Sequence, residues 1–426
     1  MKNRSNTQWT RLDNAAKIFP PTTGKRDTKV FRLACELKEE INPEILQEAL
    51  RLTILEFPLF QSVMKKGLFW YYFDLSEREH IVRVEDKSPC SPIYDNNKRK
   101  LLFDVTYYKS RINVEVYHAL TDGTGALQFL RALVYHYLLL KHEDVLDKKT
   151  IQMDYDASRT QRMDDSFSRY YDDKQKPQVT ESKKSKRAYK LRGTKLSEYR
   201  LKVIEGTVSV KEIIEKAHDH NTTLTVFLVA LLLCSIGEEM TVREKRRPVS
   251  IAVPVNLRNY FVSESARNFF GVMTVSYDFG KCSGELADVI QQVNECFKQE
   301  LNKDKVSARM HRLGSLERNI FARITPLVFK DFFMKLAYEI SELNYTFSAS
   351  NVGNIKMPPE LMEYIKLFDV FVSTKKQQMC MCSYGDNLNM SFTSCFVNTE
   401  IEKRFFRKLT DMGVGVKLVT NSGWEE

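Results

Sequence analysis

The chain has 426 residues, 43% of them hydrophobic and 28% charged, and carries a formal charge of +10 at pH 7. That length exceeds what one hydrophobic core usually serves, and the composition excludes a disordered or fibrous polymer, so two folded domains are expected. The positive charge favours an anionic partner, but lysines and arginines are scattered and no nucleic-acid-binding motif accompanies them, so nucleic acid is not an expected partner.

In chain order, the polar stretch up to Asp13 lacks the apolar segment of a secretory signal. A strand is expected over Asp27 to Leu37. A helix follows over Pro43 to Glu56, with Asn42 as its cap and Pro43 at its first position. Extended segments at Leu68 to Phe73 and Ile81 to Val84 precede a hairpin of Leu101 to Tyr108 with Arg111 to Tyr117. Ala126 to His142 then shows apolar residues at helical spacing. Gln152 to Lys195 is polar and charged; within it, 156–195 is the expected linker between an N-terminal domain (1–155) and a C-terminal domain (196–426).

The second half begins with a strand at Leu201 to Val208 and a helix capped by Ser209. Thr222 or Thr223 caps the apolar helix that ends near Gly237. Its apolar run, Leu224 to Ile236, falls well short of the ~20 residues that span a bilayer, so a buried helix and no transmembrane segment are expected. Strands at Val249 to Val255 and Gly271 to Tyr277, helices at Glu285 to Leu301 and Pro326 to Ile340 (with Thr325 as cap), four more strands between Tyr345 and Phe396, and a helix at Glu400 to Met412 complete the chain. Strands and helices mix in both halves, which predicts an α+β protein. Eight cysteines at irregular spacing, without a CxxC pair, predict neither a metal site nor a disulfide framework and point to a reducing, cytoplasmic setting.

The segment Tyr117-His118-Ala119-Leu120-Thr121-Asp122-Gly123 carries the most chemistry. If 112 to 118 is a strand, His118 shares a face with Ile112, Val114 and Val116, while Asn113, Glu115 and Tyr117 take the other. An imidazole at the inner end of a strand is fixed in orientation, and much of it is neutral near its ordinary pKa of about 6.5, ready to accept a proton. Asp122 can accept hydrogen bonds or pair with a distant cation, and Gly123 and Gly125 permit unusual backbone angles. Local chemistry leaves a second reading open, in which Asp122 or Thr121 caps a helix and His118 is a satisfied core histidine. The other six histidines are read as packing or surface residues. No GxSxG elbow or glycine-rich phosphate loop is present.

The motif from His118 to Gly123 matches HxxxDG and resembles the signature of the condensation-domain and chloramphenicol-acetyltransferase-like superfamily of CoA-dependent acyltransferases. In type it is similar to bacterial alcohol acetyltransferases, wax-ester synthases and polyketide-associated acyltransferases. Pro254-Val255-Asn256-Leu257-Arg258 resembles the segment whose arginine pairs with the motif aspartate, Asn268-Phe269-Phe270-Gly271 the segment after it, and Ser350-Asn351-Val352-Gly353 a segment near the active-site tunnel.

Several expectations follow from this resemblance. The fold is two chloramphenicol-acetyltransferase-like α/β sandwich subdomains in a pseudo-dimeric arrangement, with the active-site channel between them. His118 is the general base, Asp122 an orienting residue paired with Arg258, Gly123 part of the turn, and Ser350 and Asn351 are oxyanion or tunnel contacts. The reaction moves an acyl group from acyl-CoA, or from a carrier-bound thioester, to a small alcohol or amine. Acyl-CoA serves as co-substrate, with no permanently bound cofactor or metal, and the protein is a monomer. The alternatives are a carrier-dependent condensation enzyme and a catalytically silent docking module. Two departures stand out: Tyr117 replaces the first of two histidines found in many members, and the DFGWG motif of plant-type members is missing. The cluster Lys183, Lys184, Lys186, Arg187, Lys190, Arg192 and Lys195 is read either as a solvated linker or as a contact for CoA phosphates, an acidic carrier protein or anionic lipid.

Overall fold

The computed structural model describes residues 9–95, 98–155, 157–171, 187–318 and 324–421. The helix Pro43–Glu56 begins where expected: the Asn42 side chain accepts the Ile45 amide at 3.1 Å, and Pro43 occupies the first turn. Its buried stripe of Leu46, Ala49, Leu50 and Ile54 packs on the helix Gly123–Lys141, and both cover one sheet. That five-stranded sheet runs in the order Ile365–Val372, Val30–Leu37, Arg111–Tyr117, Phe103–Tyr108, Arg83–Val84.

The second core surrounds the helix Leu224–Glu239, whose residues from Val226 to Gly237 are all buried. A helix apolar all round must be covered on every side, and here the helices Leu286–Glu300 and Glu400–Asp411 flank it against a seven-stranded sheet. That sheet runs Phe270–Tyr277, Val249–Asn256, Phe347–Asn354, Gln377–Tyr384, Asn387–Ser394, Lys202–Ser209, Lys417–Thr420. Thr223, rather than Thr222, caps the apolar helix by accepting from Val226 N. Among the described residues no single helix is long and apolar enough to cross a membrane, and all eight cysteines are free thiols.

Three differences from the sequence expectations stand out. Pro326 sits at the cap position, not in the first turn, because its ψ of 147° is extended and the helix starts at Leu327. The expected linker 156–195 is described only at 157–171 and 187–195, and Lys183, Lys184 and Lys186 lie outside the described residues. Where described, the segment is packed: a capping box at Ser158 starts the short helix Arg159–Met163, and Ala188 N and Tyr189 N donate to Leu343 O and Pro248 O. Finally, the strand Ile365–Val372 leaves the second half to pair antiparallel with Val30–Leu37 in the first, placing Phe368, Val370 and Phe371 in the first core.

A buried ion cluster accompanies this crossing. Arg111 Nη2 donates to Asp369 at 2.7 Å and to Glu205 at 2.9 Å, with the Asp369 side chain fully buried. Removing the guanidinium would strand a desolvated carboxylate, which typically costs about 3–5 kcal/mol. Arg111→Ala is therefore expected to lower unfolding stability by that amount, measured as a fall in the urea midpoint with little change in slope.

Candidate active site

The strand Arg111–Tyr117 ends at His118, whose main-chain N–H donates to Lys29 O at 2.8 Å. A turn closed by Leu120 N to Tyr117 O leads into Asp122, the cap of the helix Gly123–Lys141. Ile112, Val114 and Val116 face the core as alternation predicts. The opposite face is covered too: Glu115 accepts from the buried Arg32 guanidinium, and Tyr117 is fully buried, its hydroxyl 2.8 Å from Thr23 Oγ1 and its ring stacked on Tyr94. The residue in place of a first histidine thus serves the core.

The His118 ring stacks on Phe19 at 4.4 Å between centroids, with Phe31 at 4.9 Å and Phe270 at 5.5 Å. The residue is half-buried among these groups. Burial holds its pKa below the ordinary imidazole value, against the smaller opposing effects of its own carbonyl, Asp122 and Asn268.

The tautomer follows from the neighbours. His118 Nδ1 lies 3.2 Å from Asn268 Oδ1. The orientation of that amide is set by its other end, since Asn268 Nδ2 donates to Ala119 O and to Asp13 Oδ2, both at 3.4 Å. A main-chain carbonyl only accepts, so the oxygen of Asn268 must face the ring. Nδ1 therefore carries the proton, and Nε2 keeps its lone pair. Asp13 is itself held by Ala16 N at 2.7 Å and by Arg267, and burial pushes its pKa up to about 6.

Asp122 is joined to three donors: Gly125 N at 3.0 Å, Phe269 N at 2.8 Å and Arg258 Nη1 at 2.8 Å. Arg258 also donates to Ser265 O and Arg267 O, so one guanidinium gathers the whole segment that carries Asn268. Among the described residues no hydrogen bond links Asp122 to His118; the carboxylate acts on the ring through field and scaffold.

The glycines divide differently from expectation. Neither Gly123 nor Gly125 has a positive φ. A Cβ at Gly125 would stand 2.1 Å from Ala266 O and 2.2 Å from Thr121 Oγ1, whereas one at Gly123 would meet open space. Gly125 is required by the close approach of the two halves, and Gly123 borders an unfilled region at the helix start. Gly125→Ala is expected to destabilise the fold by about 1–3 kcal/mol, while Gly123→Ala leaves the thermal midpoint nearly unchanged.

Ser350 and Asn351 lie on the strand Phe347–Asn354, where a bulge separates Asn351 from Gly353. Asn351 is engaged locally, donating to Thr225 Oγ1 and accepting from Gly353 N, both at 2.8 Å. Among the described residues no hydrogen bond or ring contact joins either of them to His118. The hollow of about 600 Å³ lined by Glu56, Phe57, His136, Tyr155 and Arg162 also lies away from it. Of the residues at the site, Asp13, Phe19, Phe31 and Lys29 had not been singled out by pattern; Asp13 carries only the weak signal of an acidic residue three before an amide it bonds. Among the described residues no cluster of three or more His, Cys, Asp or Glu could hold a metal.

No protein-family model and no curated protein sequence matches the chain. Solved structures do. The trichothecene 15-O-acetyltransferase TRI3 from Fusarium sporotrichioides superposes with a TM-score of 0.61 at 11% identity, over 96% of this chain and 95% of that one. TRI101 from F. graminearum, solved with coenzyme A and deoxynivalenol, gives 0.61 at 12% identity over 96% and 99%. The starter condensation domain of rhizomide synthetase, solved with C8-CoA, gives 0.61 at 12% identity over 94% of each chain. At these identities the likeness establishes a shared fold over nearly the whole length.

Proposed function

We propose, from the premise that this chain has the two-subdomain fold of the condensation-domain and chloramphenicol-acetyltransferase-like superfamily, that it is an acyltransferase using His118 as general base. The observation that carries the reading is the fixed tautomer: Asn268 Oδ1 accepts the hydrogen bond from Nδ1, which leaves Nε2 with its lone pair on a ring that is packed but not fully buried. A satisfied core histidine would have partners on both nitrogens; among the described residues this one has a hydrogen-bond partner on Nδ1 and is otherwise held by ring stacking.

In the proposed reaction Nε2 takes the proton of an acceptor hydroxyl or amine as its oxygen or nitrogen attacks a thioester carbonyl. The tetrahedral oxyanion then collapses, the carbon–sulfur bond breaks, and the leaving thiolate recovers the proton from the imidazolium. The Gly125 amide is taken by Asp122, so the Gly123 and Thr124 amides, at the positive end of the dipole of the helix Gly123–Lys141, are the proposed oxyanion donors. Asn351, tied to Thr225, is assigned no such role. Acyl-CoA is the proposed donor, by analogy with relatives solved with coenzyme A and C8-CoA. Arg258 and Asp122 are positioning residues.

Thioester consumption with a panel of acyl-CoAs and alcohols or amines tests the assignment. His118→Ala should lower turnover about 10² to 10⁴-fold; equal consumption by both proteins with every pair would sink it. The pH dependence has a defined sign. The base works when neutral and burial lowers its pKa, so kcat/KM should hold from neutral pH down past about 6.5 and fall only as pH drops through the depressed value. An acid limb centred above 6.5 contradicts the assignment.

A further inference from the structure

The helix Leu327–Ser341 inverts the usual arrangement of a surface helix. It docks largely through polar groups: Lys330 Nζ donates to Phe69 O at 3.0 Å, the Tyr71 hydroxyl to Asp331 at 2.8 Å, and Lys29 Nζ to the Tyr338 hydroxyl at 2.8 Å. Leu327 is its one buried apolar side chain. The remaining large apolar residues face outward, with Val328 at 68% exposure, Phe329 at 59%, Phe332 at 64%, Phe333 at 61%, Leu336 at 48% and Ile340 at 56%. Their spacing places them on one side of the helix, and Leu68, 72% exposed, extends the patch beside the N-terminus, where Leu327 N bonds Leu68 O. Folding does not account for this stripe, since the fold is held by the other side of the helix.

Charge indicates what covers it. Fifteen residues make a helix about 22 Å long. The flanking charge is basic: Lys330 and Lys335 on the helix and Lys17 beside it, with Lys330 and Lys17 at 3.7 and 5.9 Å from the Trp70 ring. The acids nearby are paired, Asp331 with Tyr71 and Lys66, and Glu339 with Lys375. An aromatic-rich apolar face with lysines and a tryptophan at its shoulders is the pattern of a helix lying in a lipid–water interface, and the chain's +10 charge favours an anionic one.

We propose that the helix Leu327–Ser341 docks on an anionic lipid bilayer, inserting Phe329, Phe332, Phe333 and Leu336 into its interface. The helix packs on Phe19–Thr22, whose Phe19 stacks on His118, so the bound surface lies one layer from the candidate base. The proposal stands apart from the acyl-transfer reading because its test involves no catalysis.

The test is flotation of the full chain with phosphatidylcholine vesicles, with and without phosphatidylserine, at low and high salt. Binding is expected to the phosphatidylserine vesicles, weakened by salt. The double variant Phe332→Gln/Phe333→Gln alters only exposed side chains and should lose binding about tenfold or more with an unchanged thermal midpoint; Lys335→Glu should weaken it less. The proposal is overturned by no flotation of the native chain, by equal flotation of the double variant, or by binding indifferent to phosphatidylserine. Concentration-dependent self-association in sedimentation velocity, abolished by the same double variant without vesicle binding, would make a second copy the occupant and equally overturn it.

Discussion

The candidate site depends on one buried carboxylate. An aspartate taken out of water is tolerated only when its charge is paired and its lone pairs are filled. Asp122 meets that condition with donors from two distant parts of the chain: Gly125 N beside it, and Phe269 N and Arg258 from the second half. Satisfying the charge therefore requires the halves to come together in one register. Once they do, Asn268 is set against the His118 ring and the tautomer is decided. In the proposed reaction the motif aspartate stands two steps from the proton transfer, and its bonds still fix the geometry there.

The hydrophobic surroundings of His118 work in the same direction. Phe19, Phe31 and Phe270 remove water from around the ring, which disfavours its charged form, and a single polar contact on Nδ1 prevents the ring from turning. Lys29, whose carbonyl receives the His118 amide, has a φ of 57°, and its side chain is anchored by Asp27 and Tyr338. A lysine in the left-handed region without such anchors would relax toward ordinary angles.

How much of this was legible in the sequence depended on range. Helix caps at Asn42, Ser209 and Thr223 depend on neighbours a few residues away, and the structure has all three. The Arg258–Asp122 pair spans the two halves and was reached through resemblance of two separate motifs, not through local pattern. Asp13 was passed over because its bond to Asn268 joins residues that no periodicity connects. Alternation along Arg111–Tyr117 gave the right faces but could not tell that both are covered, since what covers the second face comes from elsewhere, including Arg32 and Tyr94. For the same reason the strand Ile365–Val372 was visible as a strand, while its membership of the first sheet was not.

That strand sets an order on the making of the molecule. A chain emerging from the ribosome has Val30–Leu37 available early, but the partner that closes this edge of the sheet is synthesised more than three hundred residues later. Until then Val30–Leu37 presents an open row of backbone groups, the kind of edge along which chains pair wrongly. Contacts so far apart in sequence also form slowly, because a long loop must close before the pairing stabilises it. The first half of this protein is thus the first to be made and among the last to be finished.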